Sequence, residues 1–209
     1  MFKDINRVVR LMVIMDFFVN SAFGSFAPVF AIFIVGQVAG GSAKVAGFAA
    51  AVYWIAKSSL QLPIARFLDK TDGERDDFWA LFFGYIFAGL APIAYNFVTQ
   101  PWHLYVIQAF LGICMAFAVP AWYSIFTRHV DKWRISFEWS LYSVFSVGMA
   151  TAGATALGGY IADKIGFNFL FTAAGILAIL SSFFLLLIKK DLFSKNHQER
   201  VMPEHKPHR

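Results

Sequence analysis

The chain has 209 residues, of which 58% are hydrophobic and only 15% are charged, and its formal net charge is +5. Soluble domains are about 45–50% apolar and about 25% charged, so this composition excludes an ordinary soluble domain. The positive charge does not predict a nucleic-acid partner, because nearly all basic residues lie in predicted loops and in the carboxyl-terminal tail.

Six apolar runs predict an all-α integral membrane protein, since each is close to the roughly 20 residues that a helix needs to cross a bilayer. Lipid offers no hydrogen-bond partner to the backbone, so each run should be helical. The predicted helices cover residues 11–35, 46–68, 78–98, 104–126, 137–162 and 167–188. We expect a membrane domain over residues 1–190 and a disordered cytoplasmic tail over residues 191–209.

The distribution of basic residues predicts the orientation of these helices. With the amino terminus in the cytoplasm, 15 of the 18 lysines and arginines fall in cytoplasmic segments, and only Lys44 and Lys164 fall in outer loops. Such a bias is typical of the positive-inside rule. We therefore expect a multi-pass protein of the cell (inner) membrane, with both termini in the cytoplasm.

The second predicted helix carries Lys57 in mid-span, with Gln61 one turn further along the same face. A charge at bilayer depth is costly, so Lys57 and Gln61 are candidate substrate residues. The alternative is a lysine whose stem packs in lipid while its amine reaches the interface. If two copies of the chain form a dimer around a shared cavity, their two Lys57 side chains would repel each other and attract an anion. We therefore expect Lys57 to contact an anionic substrate or coupled ion.

Other polar residues within the spans are further candidates for substrate binding or ion coupling: Asp16, Asn20, Gln108, Glu138 and Tyr142. Asp16 lies only about 8 Å into the first predicted helix, so a proton or cation site and a hydrated interfacial residue both remain open. Glu138 suits the dipole at a helix amino terminus. Gln108 and Tyr142 either bind substrate or bridge helices. We expect no Asp16–Lys57 ion pair, because the two side chains lean in opposite directions.

The polar residues repeat with a period of three helices. The first, second, fourth and fifth predicted helices have a polar face, whereas the third and sixth are nearly apolar and are expected to face lipid. Because three is an odd number, the second copy is inverted in the membrane. The fold predicted is two inverted three-helix repeats, an arrangement typical of transporters with a central site.

The loop after the second helix reads Ala-Arg-Phe-Leu-Asp-Lys-Thr-Asp-Gly-Glu-Arg over residues 65–75. It resembles the Gly-x-Leu-x-Asp-Arg-x-Gly-Arg loop of the major facilitator superfamily, and the chain as a whole resembles one six-helix half of such a transporter over about residues 6–189. In that family the loop latches the inner gate. The resemblance implies a gate formed by Asp69, Lys70, Gly73 and Arg75, with Asp163 and Gly166 at the end of the fifth helix.

The resemblance implies a secondary active transporter that moves a small molecule or ion by alternating access. Since family members have two such halves, we expect a homodimer of half-transporters around a twofold axis. The alternatives are a non-transporting scaffold or accessory subunit, and one half of a heterodimeric or split transporter. The sequence has no nucleophile motif, phosphate loop or metal-ligand cluster, so we expect no enzyme activity, cofactor or metal, and no partner beyond solute, bilayer and a second half.

Overall fold

A computed structural model describes residues 5–70 and 74–193, and within these ranges every regular element is a helix. The predicted tail beyond residue 193 and Gly73 of the predicted gate lie outside the described residues. The six long elements, with the labels used below, are α1 (Arg7–Gln37), α2 (Ala43–Leu68), α3 (Arg75–Tyr95), α4 (Pro101–His129), α5 (Ile135–Lys164) and α6 (Phe167–Leu187), followed by the short α7 (Lys189–Leu192).

Most of the helices continue past the apolar runs that predicted them. α1 begins at Arg7 rather than at residue 11, because the Asn6 side chain caps it by accepting the Val8 N–H at 2.9 Å. Ser42 caps α2 in the same way through the Val45 N–H. Polar residues at the membrane surface thus extend the helices, which a search for hydrophobicity alone does not detect.

Five of the six long helices have the length and hydropathy expected of a membrane span within the described residues. The exception is α2, which is 26 residues long but is interrupted by Lys57, Ser58, Ser59 and Gln61. Its length, about 39 Å, is sufficient to cross a bilayer. Its polar residues are therefore the reason that its mean hydropathy falls short.

The helices pack in a pattern that is symmetric under exchange of the two repeats. Exchange of the repeats replaces α1 by α4, α2 by α5 and α3 by α6. The α2–α4 contact thus corresponds to the α5–α1 contact, and the α3–α4 contact corresponds to the α6–α1 contact. α3 and α6 cross at Gly89 and Gly175, where each glycine lies against the backbone carbonyl of the other. Exchange of the repeats maps this crossing onto itself. The predicted fold class, six helices in two inverted repeats, is confirmed.

The expectation that α3 faces only lipid is wrong for one side of that helix. Trp79, Phe83 and Phe87 are exposed along one stripe, but Tyr85 on the opposite side is 4% exposed. α3 packs against both α4 and α6, so its inner face lies within the bundle. The sequence is apolar on both faces and does not distinguish them.

Proline and glycine shape the contact between α1 and α5. Pro28 has no N–H for the carbonyl of Gly24, and α1 passes through a 3₁₀ turn at Ala27–Val29. The Thr155 hydroxyl of α5 donates to that carbonyl at 3.2 Å, which satisfies it inside the bundle. One turn along, Gly158 lies directly against the carbonyl of Ser25. Small residues of α5 thus permit close helix contact.

Two buried apolar clusters lie at opposite ends of the bundle. The first, on the side of the amino terminus, includes Met12, Phe78, Ile125 and Leu185. The second, at the other end, is built largely from aromatic rings and includes Phe26, Tyr95 and Phe171. Both clusters draw residues from both repeats, so the repeats form a single bundle.

The close contact at Gly158 predicts a difference between two adjacent glycines. A Cβ at Gly158 would overlap the Ser25 carbonyl, whereas a Cβ at Gly159 meets nothing within 4 Å. We expect Gly158→Ala to destabilise the protein by about 1–3 kcal/mol, because the helices must separate. Gly159→Ala should be neutral or stabilising, since alanine favours helix by up to about 1 kcal/mol. Thermal unfolding in detergent measures both, and equal melting temperatures would contradict the packing described.

Candidate functional site

A cavity of about 420 Å³ opens between the two apolar clusters and is lined by residues of α1 to α5. Its size falls in the range of small-molecule sites, about 300–1,000 Å³. Four of the candidates predicted from the sequence line it: Asp16, Asn20, Gln108 and Tyr142. Gln108 is 8% exposed and Asp16 is 3% exposed, so the polar residues lie inside the bundle rather than on its surface.

The Asp16 carboxylate is the centre of this cavity. The Tyr85 hydroxyl of α3 donates to Oδ1 at 2.9 Å, and the Asn20 side-chain amide of α1 donates to Oδ2 at 2.8 Å. The Tyr142 side chain of α5 lies beside the same carboxylate and interacts with it. Three helices therefore converge on one buried carboxylate, which we call the Asp16 cluster (Asp16, Asn20, Tyr85 and Tyr142).

Asp16 lies deeper in the membrane span than the sequence suggested. Because α1 begins at Arg7, the residue lies nine positions into the helix, or about 14 Å along its axis. Asp16 is 3% exposed at this position, so it lies among packed side chains of the bundle rather than at a hydrated surface. Of the two interpretations left open for Asp16, the hydrated residue at the inner interface is therefore disfavoured.

A π-helical segment, Tyr142–Met149, interrupts α5 next to this cluster. Such segments are rare and occur often at functional sites. Its first residue, Tyr142, joins the Asp16 cluster, and Ser146 within it donates to the Val13 carbonyl of α1 at 2.7 Å. The altered helical turn thus lets α5 contact α1 at two points.

Tyr85 is the residue of the cluster that sequence reasoning missed. It belongs to a helix that was expected to face lipid, and it is surrounded in sequence by phenylalanine and other apolar residues. A buried tyrosine hydroxyl needs a hydrogen-bond partner. The sequence signal for Tyr85 was therefore a tyrosine in the middle of a nearly apolar span.

Lys57 and Gln61 do not line the Asp16 cavity. The Lys57 ammonium lies 4.9 Å from the ring centre of Trp54, a residue that is 57% exposed. Gln61 lines a second cavity, of about 480 Å³, at the carboxyl-terminal ends of α2 and α4. As expected, Asp16 and Lys57 have separate partners.

Residues that line the second cavity form the shortest ion pair of the described part of the chain. Arg128 of α4 donates to Oδ2 of Asp77 in α3 at 2.5 Å, and the Ser124 hydroxyl donates to the same oxygen at 2.8 Å. The Asp77 side chain is 1% exposed. Asp69, the carboxylate predicted to latch the gate, is exposed on the lining of the same cavity. The partner of Arg128 is therefore Asp77, which follows the predicted motif.

Among the other predicted gate residues, Lys70, Arg75 and Asp163 lie at exposed positions. Lys70 ends the described part of the loop, and the Arg75 guanidinium lies 5.3 Å from the ring centre of Phe193. Asp163 forms an exposed ion pair with Lys164 at 3.1 Å. Gly166 precedes α6 with φ +108°, a conformation that favours glycine.

Two further carboxylates are buried at the same end of the bundle as this cavity. Glu138, a predicted candidate in the first turn of α5, accepts the Asp131 N–H at 3.2 Å and so fixes the preceding loop. Glu74 precedes α3 and is 2% exposed, with the His129 ring nitrogen 3.4 Å from its Oε1. Burial raises the pKa of Glu74 to about 7. In the parts of the chain that the structure describes, no cluster of residues fits a metal ion.

Two comparisons with known proteins indicate what the chain is similar to. A sequence model of the Major Facilitator Superfamily matches residues 11–207. An uncharacterised MFS-type transporter of Methanocaldococcus jannaschii is 24% identical over 179 residues, which make up 85% of this chain and 44% of that protein. The chain thus spans less than half the length of this relative.

The buried carboxyl of Glu74 predicts a pH dependence of stability. Its pKa rises from 4.5 to about 7 on folding, so the folded protein binds more protons between these values and stability falls as pH rises through them. The charged groups that face it are His129, Arg128 and Asp77. Glu74→Gln should therefore reduce the loss of melting temperature between pH 5 and pH 8.

Asp191→Asn is the matched control, because Asp191 forms an exposed ion pair with Arg7 at 2.9 Å and such pairs contribute little. This variant should keep the pH dependence of the parent. An unchanged pH dependence in Glu74→Gln would show that Glu74 is not buried as described.

Proposed function

The chain belongs to the major facilitator superfamily, and on that premise we propose that it forms one half of a solute transporter whose pathway passes the Asp16 cluster. It is a multi-pass integral membrane protein of a family that typically transports solutes and does not catalyse reactions. Its relative in Methanocaldococcus jannaschii carries the name of a transporter of this type. The activity, the solute and the assembly of the present chain are our proposals.

One observation carries the proposal: the buried Asp16 carboxylate in a cavity of solute size. A charged residue at the middle of a membrane helix costs about 2.5–3.5 kcal/mol, so such residues are rare outside functional sites. Tyr85 and Asn20 hold this carboxylate in place through hydrogen bonds from two helices. A scaffold or accessory subunit has no need of such a group, which favours transport over that alternative.

We propose that a second copy of the chain completes the pathway. The packing contacts arrange four helices in the order α2, α4, α1, α5, with α3 and α6 behind α4 and α1. The outermost two have exposed polar side chains, including Ser58 and Ser59 of α2 and Ser143 and Thr151 of α5. Large apolar side chains are exposed along the middle of α3 and α6, among them Phe83, Phe87 and Ile176, which suits contact with lipid. A twofold axis through the cavity would bring α2 of one copy against α5 of the other.

Alternating access requires that this assembly opens to one side at a time. The Arg128–Asp77 ion pair joins α4 to α3 at the cytoplasmic end and is a candidate inner latch. Tyr123 lines both the Asp16 cavity and the second cavity, so it lies between the solute site and that latch. We propose that the inner gate opens when these contacts between α2, α3 and α4 separate.

The orientation follows from the charge distribution. The amino-terminal helix start, the α2–α3 loop, the α4–α5 loop and the carboxyl-terminal tail carry most of the basic residues. We propose that all four face the cytoplasm and that the protein lies in the inner membrane. Asp77 and Arg128 then belong to the cytoplasmic gate.

Removal of the Asp16 charge tests the pathway. Asp16→Asn keeps the shape of the side chain but removes its charge. We expect the rate of solute uptake into proteoliposomes to fall about tenfold or more, which corresponds to about 1.4 kcal/mol in the activation free energy of transport. Asp191→Asn removes a carboxylate from an exposed ion pair and should leave uptake unchanged. Uptake measured over a panel of cationic, neutral and anionic solutes checks both variants. Parent-like uptake by Asp16→Asn would exclude this cluster from the pathway.

Cysteine cross-linking tests the dimer. Ile55 of α2 and Ala152 of α5 are both exposed and lie at similar distances from the outer ends of their helices. In a Cys114→Ala background, we expect Ile55→Cys on one tagged copy to cross-link with Ala152→Cys on a differently tagged copy. Phe87→Cys on the lipid-facing side of α3 should not cross-link with Ala152→Cys. Cross-linking to a different protein instead of a second copy would favour a heterodimer.

A further inference from the structure

The charge of the residues around the Asp16 cavity restricts which solute it accepts. Asp16 is the only aspartate, glutamate, lysine, arginine or histidine among the 17 described residues that line the cavity. Its partners Tyr85 and Asn20 donate hydrogen bonds but carry no positive charge. A carboxylate oxygen accepts more than one hydrogen bond, so the group keeps acceptor capacity for a solute. The cavity therefore presents a negative charge that no lining residue balances.

The walls of the cavity are mainly aromatic. Nine of the 17 lining residues carry an aromatic ring, and Tyr53, Tyr95, Trp122 and Tyr123 surround the Asp16 cluster from α2, α3 and α4. Aromatic faces attract organic cations within about 6 Å of the ring centre, and the attraction strengthens when water is excluded. An anion in this position would meet both the carboxylate and the negative faces of the rings.

The indole of Trp122 adds a hydrogen-bond donor. Its Nε1 is buried and has no acceptor among the residues that the structure describes. A buried donor without a partner costs about 1–3 kcal/mol, so a solute that offers an acceptor here gains from it. Trp122 lines the same cavity as Asp16. The two groups suit a solute that has a positive charge and a hydroxyl or carbonyl oxygen.

We propose that the cavity binds an organic cation, such as an ammonium compound with an oxygen acceptor. Asp16 balances its charge, the aromatic rings hold its alkyl groups, and Trp122 donates to its oxygen. This inference rests on the proposed function, because it names the class of solute for the same site. It differs from the expectation of an anion, which depended on Lys57, a residue whose ammonium lies over Trp54 outside the cavity lining.

Three probes of equal shape test the charge preference. Choline is the cation, 3,3-dimethyl-1-butanol is its neutral isostere and 3,3-dimethylbutanoate is an anion of similar size, and benzyltrimethylammonium adds a larger cation. Isothermal titration of the full-length protein in detergent measures their dissociation constants. We expect at least one cation to bind tenfold or more tightly than the neutral isostere, and the anion to bind most weakly.

Variants connect this preference to the named residues. Asp16→Asn should raise the dissociation constant of the cation at least tenfold, whereas Asp191→Asn should leave it unchanged. Because a change at the buried Asp16 could affect folding, Tyr123 provides a second test at a residue that is 49% exposed. Tyr123→Leu should weaken cation binding several-fold, and Tyr123→Phe should restore it through the ring face.

The outcomes separate this inference from the proposed function. Equal or tighter binding of the neutral probe or the anion would overturn the cation inference but would leave a solute site. Tighter binding of the anion that disappears in Lys57→Met would favour the anion interpretation of Lys57. If no probe binds, the cation inference is wrong, and if the transport panel also gives no uptake, the proposed function fails with it.

Discussion

The structure depends on one constraint, the burial of the Asp16 carboxylate in the middle of a bundle that crosses the membrane. Lipid provides no water to solvate the group, so the protein must supply its hydrogen bonds. Tyr85 and Asn20 do so directly, and Tyr142 is a further partner. Asn20 and Tyr85 belong to the first repeat, and Tyr142 belongs to the second. The position of α1 relative to α3 and α5 is thus linked to the polar centre of the cavity.

The packing of the helices serves the same arrangement. Gly158 lets α5 approach the backbone of α1, and Gly112 lets α4 approach α2 at the backbone of Tyr53 and Lys57. The two helix pairs correspond under exchange of the repeats, but the glycine lies on α5 in one pair and on α4 in the other. The two apolar clusters lie above and below the cavity, so apolar packing supplies rigidity at both ends while the polar residues remain between them. The two outer helices, α2 and α5, are left with exposed polar side chains that suit a second half.

The sequence predicted the fold better than the site, for physical reasons. Span length and hydropathy located the helices, and a period of three predicted the inverted repeat. Asp16 and Tyr142 were recognised because polar residues are rare in membrane spans. Tyr85 was missed because its neighbours are apolar and its partner lies 69 residues away. Lys57 was noticed for its charge, but its direction depends on the rotation of α2, which sequence spacing alone does not give. Asp69 was named from the loop motif over residues 65–75, which ends before Asp77, the carboxylate that pairs with Arg128.

The central claim is that the Asp16 cavity is a solute pathway that opens to both sides of the membrane. The most direct measurement is the reaction of Asn20→Cys, in a Cys114→Ala background, with a membrane-impermeant maleimide in right-side-out and inside-out vesicles. Asn20 lines the cavity beside Asp16. We expect the maleimide to label Asn20→Cys from both sides of the membrane and not to label Phe87→Cys on the lipid face. Failure to label Asn20→Cys from either side, or labelling from one side alone, would contradict it.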